Sequence, residues 1–455
     1  MGKTAARVPR LTAVLAVAAA GALAFSALPS NAAQPAPQTG APSLAEAFRT
    51  AATQYDVPRE LLVGIGYAES HLDGHNGLPS QANGYGVMHL ASNPVNPTLS
   101  EAAKITGLPV EQLAKDTGSN ILGAAAVLDA YADRAGLAGA ARQDLGKWYS
   151  VVAQYSHSAD GPTARLYTDE VYRIIGQGVG AAGVSIQPKK VTPDRGKYTN
   201  VAPLGTRTPS SIAAVDYPGA IWNPASTSNY RVGRTAAIST IVIHVTQGSY
   251  TGTISWFKNP ASQVSAHYVI RSSDGQVTQM VAEKDTAWHA RSTNPYTVGI
   301  EHEGWVDQPS WFTDAMYRSS AALTRSIADR RGIPKDRAHI RGHNELPDND
   351  HTDPGPNWNW TYYMQLVNGG TPTSNFTTYG SGVRVRSDAR LSAPIVTTLA
   401  GPTRVYVTCQ KQGDTVTAEG TTNNWWSKLR DQGGFMTNIY IDHPDAKLPG
   451  VPICP

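Results

Sequence analysis

Residues 341–355 read R-G-H-N-E-L-P-D-N-D-H-T-D-P-G and crowd His343, His351 and Asp353 into one loop rich in turn formers. Imidazole nitrogens and a carboxylate oxygen in such a loop, joined by one further His from a strand end upstream, suit a divalent zinc ion in a hydrolytic site. His244 is the upstream candidate, near the C-terminal end of the β-branched run T-I-V-I-H-V-T at 240–246. A single His in an apolar strand also serves as a hydrogen-bonded core residue, so its role depends on what the fold brings to it. Glu69 is a separate case. It lies four residues after Ile65 and seven after Leu62, so helical spacing puts its carboxyl on the apolar face near a helix C-terminus. A carboxyl there is hard to ionise, as a general acid for a glycosidic bond must be; the alternative is a helix-terminal Glu turned to solvent.

The elements that must position these residues follow from local pattern. Ser43-Leu44-Ala45-Glu46 has the form of a capping box, and Leu44, Ala47, Phe48 and Ala51 continue at helical spacing. Pro58 then opens a second amphipathic helix carrying Leu61, Leu62, Ile65 and Ala68. Residues 177–208 are Gly/Ala-rich, then Pro/Lys/Thr-rich, and read as a linker. Beyond it, 240–246, 265–271, 276–282 and 296–303 read as strands, with Glu301 on the same side as Gly299 and Glu303. Thr313 caps a helix bearing Met316, Leu323 and Ile327 that Gly332 and Pro334 stop, and 358–367 reads as a last helix. Strands alternating with helices imply a mixed α/β domain. After a second short linker at 368–375, short alternating runs at 383–387, 404–409, 415–419, 425–429 and 434–441 suggest a small β-barrel.

A chain of 455 residues is too long for one core and suggests about three domains of ~100–200 residues each. Residues 1–32 read as a secretory signal peptide: Lys3, Arg7 and Arg10 precede an alanine-rich apolar run, and small residues precede a cut near Ala32. A transmembrane reading is weaker, because Pro29 and a Pro/Ala/Gln tract follow rather than a basic flank. Taking those three from the 38 basic residues leaves as many as the 35 acidic ones, and no basic cluster persists. A nucleic-acid partner and a membrane span in the mature chain are therefore not expected. Cys409 and Cys454 are the only cysteines; in an oxidising compartment they are expected to bridge, the alternative being two buried thiols.

The motifs carry three resemblances. I-V-I-H at 241–244, V-S-A-H-Y-V-I-R at 264–271, A-W-H-A at 287–290, V-G-I-E-H-E-G at 298–304, and G-H-N-E-L-P with H-T-D-P-G at 342–355 resemble the zinc-dependent N-acetylmuramoyl-L-alanine amidases of the family shared with peptidoglycan recognition proteins. That resemblance implies Zn2+ held by His244, His343 and Asp353, with Glu301 as catalytic base for cleavage of the amide between N-acetylmuramic acid and L-alanine. His351 departs from the Lys that many relatives carry two residues before the Asp. A hydrogen-bonding role in the transition state is expected for it, the alternative being orientation of Asp353. Y-D-V-P-R-E-L-L-V-G-I-G-Y-A-E-S at 55–70, G-Y-G-V-M-H-L at 84–90 and S-N-I-L-G-A-A-A-V-L at 119–128 resemble the lytic transglycosylase group of the lysozyme-like fold, which implies that Glu69 is a catalytic acid. His89 stands where that group usually has Gln, and A-Q-Y-S at 153–156 replaces an A-Y-N-A-G-like turn. V-R-V-R-S and W-W-S-K-L resemble bacterial SH3-like domains that hold wall hydrolases on peptidoglycan; a barrel that only packs on its neighbour is the alternative.

The expected architecture is multidomain: an α-helical lysozyme-like domain at 43–176, a linker at 177–208, a mixed α/β zinc amidase domain at 213–368 and a small SH3-like β-barrel at 376–455. The expected protein is a secreted, monomeric peptidoglycan hydrolase of the cell wall. Its rivals are a peptidoglycan binder without turnover and a hydrolase acting mainly through Glu69. Trp288, Trp358 and Trp360 are candidates to stack on sugar or peptide, while His267 and His289 are expected to be wall or structure. Asp348-Asn349-Asp350 lacks the spacing of a calcium loop and reads as a solvated turn.

Overall fold

The Ser43 side chain accepts the Glu46 N–H at 3.3 Å and starts the first helix, α1 (Leu44–Gln54). The computed structural model describes residues 42–204, 215–370, 374–449 and 451–454. The leader expected at 1–32, the linker end at 205–208 and the start of the expected 213–368 domain lie outside the described residues. Helices α2 (Arg59–Ser70), α3 (Thr98–Thr106), α4 (Val110–Lys115), α5 (Thr117–Arg134), α6 (Tyr149–Tyr155) and α7 (Gly161–Gln177) follow. Asp116 caps α5 through the Ser119 N–H at 2.8 Å. The small residues of α5, Gly123, Ala124 and Ala125, let neighbouring helices approach, and Phe48, Leu61, Leu62, Ile65, Val127 and Trp148 fill the core around it. A short hairpin, β1 (Gly84–Tyr85) and β2 (Leu90–Ala91), belongs to this helical region.

The stretch read as a linker differs from expectation. Residues 179–186 form a hairpin, β3 (Val179–Ala181) and β4 (Val184–Ile186), whose Val179, Val184 and Ile186 are buried in the helical core. Tyr198 packs beside Tyr149 farther on. The reason is physical: alternate apolar positions need only three side chains to cover a core edge, too few to stand out in a Gly-rich context. Gly183 at φ 73° makes the reversal, a backbone conformation that favours glycine.

The middle of the chain builds a six-stranded sheet from β5 (Ile221–Trp222), β7 (Thr240–Val245), β8 (Tyr268–Ile270), β9 (Val277–Gln279), β11 (Thr297–His302) and β12 (Ile340–Gly342); β6 (Tyr230–Arg231) and β10 (Thr286–Ala287) pair separately. The order is β12-β7-β11-β8-β9-β5, and β12, β7, β11 and β8 run parallel. Ile241, Ile243, Val298 and Ile300 face α9 (Asp314–Arg331) and α10 (Trp360–Val367) across an apolar core. The continuous β-branched runs reflect burial on both faces. A further helix, α8 (Tyr250–Lys258), follows β7. Glu283, fully buried, ties the C-terminal end of α9 to the sheet by accepting from Arg330, Arg331 and the Tyr268 hydroxyl.

The last region has a five-stranded antiparallel sheet, with long paired strands at Val407–Ala418 and Thr421–Leu429, and a separate two-stranded ladder. Val383, Val385, Val405, Leu429 and Met436 form its core. Cys409 and Cys454 are bonded, as expected, with Cα atoms 4.9 Å apart. Main-chain bonds between Gln410 and both Pro452 and Cys454 hold the same C-terminal segment. Among the described residues no helix is long and apolar enough to cross a membrane.

Replacing Cys454 with Ser should lower the stability of this β region by about 2–4 kcal/mol, read as a shift in the urea midpoint of Trp fluorescence. An unchanged midpoint would remove the bridge from the stability of the domain. Burial holds the imidazoles of His71 and His302 down to about 3. Both folded values lie below the usual ~6.5, so the unfolded chain binds more protons as pH drops. That stability is fully present above pH ~6.5 and is lost as pH falls toward the folded values. The melting temperature should therefore decline from pH 7 to pH 4, and a flat profile would contradict the assignment.

Candidate active site

The register of the parallel strands sets the site. His244 of β7 lies directly opposite Glu301 of β11, and Gly342 of β12 lies opposite Ile243. His343, the next residue after β12, therefore comes alongside His244 at the carboxyl ends of the strands, where sheets of this type collect ligands. Asp353 reaches the cluster by the loop at 343–355. Its main-chain carbonyl accepts the Asn344 N–H at 2.9 Å, and its Oδ2 accepts the Val245 N–H at 3.2 Å. One ligand atom from each of His244, His343 and Asp353 lies within 4.8 Å of the others, and all three residues are buried. The Nδ1 atoms of His244 and His343 point at the carboxylate, 3.3 Å from Oδ2 and 3.1 Å from Oδ1. Two imidazole nitrogens and one carboxylate form a donor set suited to zinc, which takes four ligands in all.

The charges support that use. Burial, reinforced by His343, lowers the His244 imidazole to about 4, so its ring is neutral at ordinary pH, as a ligand must be. Burial alone would raise the Asp353 carboxyl, but the His244 and His343 imidazoles beside it hold it well below the usual range. Glu301 behaves oppositely. Burial, with the Asp353 charge beside it, pushes its carboxyl well above the usual range, and its Oε2 has no hydrogen-bond partner. An orphaned carboxylate oxygen beside three convergent donors is a group placed to exchange a proton.

A chain of hydrogen bonds defines the His244 tautomer. The Thr297 hydroxyl donates to the Thr293 carbonyl at 3.0 Å, so its oxygen accepts from His289 Nε2 at 3.2 Å. His289 Nδ1 is then an acceptor, 2.9 Å from His244 Nε2. His244 carries its proton on Nε2 and leaves the Nδ1 lone pair facing Asp353 and His343. Gly299 makes room for this relay, since a Cβ there would lie 2.6 Å from the His289 ring. Helical or strand periodicity gives no sign of the relay; the A-W-H-A and V-G-I-E motifs hold its members without indicating that they touch.

The other sequence candidates separate. His351 is half-exposed at the rim, stacks on His343 with ring centroids 4.3 Å apart, and has Nδ1 3.8 Å from Asp353 Oδ1. Burial and the neighbouring His343 lower its imidazole from the ordinary value. Trp358 corrects expectation: only 3% exposed, it packs against His302, Phe312, Tyr317 and Tyr363 in the core and has no face for a substrate. An aromatic count carries no direction, and the apolar neighbours supplied by α9 and α10 claimed this ring. Trp288 is half-buried, and Trp360 stacks under the Arg337 guanidinium. His302, on the opposite face of the sheet, donates from Nδ1 to the His244 carbonyl at 2.8 Å and bonds Ser320 through Nε2. His267 accepts the Gly299 N–H on Nδ1. Asp348 and Asp350 tie to Ser292 and Arg291 at the surface. Glu69 is not part of this cluster; it is buried at the end of α2, where Ser249 bonds it.

Part of the chain is similar to known proteins. Residues 234–356 match the family described as N-acetylmuramoyl-L-alanine amidase. Over 174 residues the chain is 45% identical to N-acetylmuramoyl-L-alanine amidase A of Achromobacter lyticus, an alignment covering 34% of this chain and 98% of that protein. It is 36% identical over 113 residues to the 1,6-anhydro-N-acetylmuramyl-L-alanine amidase AmpD of Escherichia coli (strain K12), covering 23% of this chain and 59% of that one. Among solved structures, a selenomethionine derivative of AmpD aligns at 26% identity over 33% of this chain and 96% of its own, with a TM-score of 0.29. The hydrolase AmiA of Staphylococcus aureus, solved with its ligand, aligns at 18% identity over 35% and 85%, also with a TM-score of 0.29. With 45% identity across nearly the whole of one curated relative and a family match spanning His244 to Asp353, this chain belongs to the N-acetylmuramoyl-L-alanine amidase family.

Proposed function

We propose that the protein is a secreted, zinc-dependent hydrolase that cleaves the amide between N-acetylmuramic acid and L-alanine in peptidoglycan. The observation that carries this reading is the convergence of His244, His343 and Asp353 beside the unpartnered Glu301 oxygen. Zinc held by these three residues supplies a Lewis acid for the scissile carbonyl and brings the ionisation of water toward neutral pH. Glu301 takes the proton of the attacking water and returns it to the departing L-alanine nitrogen. His289 and Thr297 fix the His244 ring so that only its Nδ1 lone pair faces the donors. His351, at the open rim, donates a hydrogen bond to the oxygen that gains charge as the carbonyl carbon becomes tetrahedral. Residues 43–176 are read as a lysozyme-like domain and 376–455 as an SH3-like wall-binding domain, on the motifs that resemble those families. Secretion rests on the leader-like pattern of residues 1–32.

Digestion of purified peptidoglycan by the full chain should release stem peptides with free L-alanine amino termini, identified by mass spectrometry, and a zinc chelator should abolish release. Intact sacculi after digestion would leave only binding. Glu301→Gln should lower turnover by roughly 10²–10⁴-fold while zinc stays bound, whereas His343→Ala should lose the metal itself. Retained turnover in the Gln variant would remove Glu301 as the base.

His289→Ala should weaken zinc affinity by about 10–100-fold in a chelator competition. Undiminished affinity would reduce the relay to packing. His351→Ala should cost on the order of 10² in kcat with zinc content unchanged; loss of zinc in this variant would instead give His351 a role in orienting Asp353.

A further inference from the structure

The groove of the helical domain that holds Glu69 is closed by another part of the same chain. Ser249, the residue that caps α8, donates its hydroxyl to Glu69 Oε2 at 3.0 Å, and its oxygen accepts the Gly252 N–H at 3.3 Å. His89 Nδ1 stands 3.7 Å from the same carboxylate oxygen. Thr251, Gly252, Ser255 and Trp256 of α8 line the cavity opposite Tyr155 and Tyr167, and the space left beside Glu69 is about 40 Å³. That is room for roughly three water molecules, far less than the ~300 Å³ or more of a pocket that takes several sugar rings.

The closure is held by contacts of several kinds. The His71 ring lies flat on Trp311, centroids 3.4 Å apart and planes 2° from parallel, and His75 lies on Trp305 at 3.5 Å. Lys258 Nζ, largely buried, is 2.7 Å from Asp160 Oδ2, and the Gln308 amide donates to Asp73. Ser158 and Ser255 face each other with Oγ atoms 3.4 Å apart.

We infer that the Glu69 groove serves in the docked chain as a socket for helix α8, and that glycan strands reach Glu69 only when the helical and amidase domains separate. The inference rests on reading residues 43–176 as a lysozyme-like domain. In the separated state the Glu69 carboxyl protonates the glycosidic oxygen as the C1–O bond breaks. The C6 hydroxyl of the same muramyl residue adds to C1 and returns its proton to Glu69, which leaves a 1,6-anhydro end and consumes no water.

The test uses the full chain carrying Glu301→Gln, so that amide cleavage is silent, and counts anhydro ends on purified peptidoglycan by mass spectrometry. Opening substitutions lie on the helical side: His71→Asp and His75→Asp set carboxylates against indole faces, and Asp160→Lys opposes Lys258. The opened chain should be more extended in X-ray scattering and produce ends at least about tenfold faster than the docked chain. Adding Glu69→Gln should abolish that gain. Ser158→Cys with Ser255→Cys, oxidised in the opened chain, should return it to the docked rate. If the triple variant loses its circular dichroism, Asp160→Lys alone should give a smaller gain that the same cross-link reverses.

A docked or cross-linked chain that cleaves as fast as the opened one overturns the closure and leaves the lysozyme-like reading standing. An opened, folded chain that neither cleaves nor binds a peptide-free glycan hexasaccharide overturns the lysozyme-like reading, and the inference with it. One that binds the hexasaccharide without cleaving overturns cleavage by Glu69, and equal binding by the cross-linked chain also overturns the closure.

Discussion

The register between two parallel strands is the constraint on which the rest of the centre depends. In a strand successive side chains alternate between faces, so a slip of one residue between β7 and β11 would send either His244 or Glu301 into the apolar layer under α9 and α10. The register is strongly specified because the alternate positions, Ile241, Ile243, Val298 and Ile300, are buried there. Core packing and the candidate site are thus two faces of one ladder. The hydrogen bond from His302 to the His244 carbonyl crosses this boundary and joins the helix-facing side to the strand that carries His244.

Placing so many polar groups in a buried space is unfavourable unless each finds a partner or a purpose. Most find partners. Asp353 accepts a main-chain N–H and faces two imidazoles, and His244 ends a relay that reaches a backbone carbonyl. Glu301 is the exception, with one oxygen unpaired and a carboxyl whose burial favours the neutral form. A divalent ion at the neighbouring donors would reverse that preference by favouring the charged carboxylate, so cation binding and the readiness of Glu301 to accept a proton are coupled through space.

Some of this was legible from the residues and some could not be. His343, His351 and Asp353 share a loop punctuated by Pro and Gly and His244 sits in a run fit for a buried strand, but it is the family resemblance, not local pattern, that singles out the three the fold brings together. The apolar face holding Glu69 was also readable from helical spacing, and Glu69 is indeed buried. Trp358 was not readable, because the character of an indole is the same in a core and on a binding face. The hairpin at 179–186 was missed since its few buried side chains sit among glycines. His289, Thr297 and Gly299 needed the tertiary fold: their relation is one of contact between a loop and a strand, and no periodicity encodes it.

The least local feature is the path from the candidate centre to the helical region. β7 delivers His244 to the site, ends at Val245, and four residues later Ser249 caps α8 while bonding Glu69 at the end of α2. The same connection is braced from the sheet by Glu303, whose carboxylate accepts the Tyr250 N–H at 2.8 Å and the Ser272 N–H at 2.7 Å. The start of α8 is therefore held from the sheet through Tyr250 and from the helical region through Ser249. One short segment of chain thus links the strand end that holds His244 to the Glu69 carboxylate buried beneath Ser249.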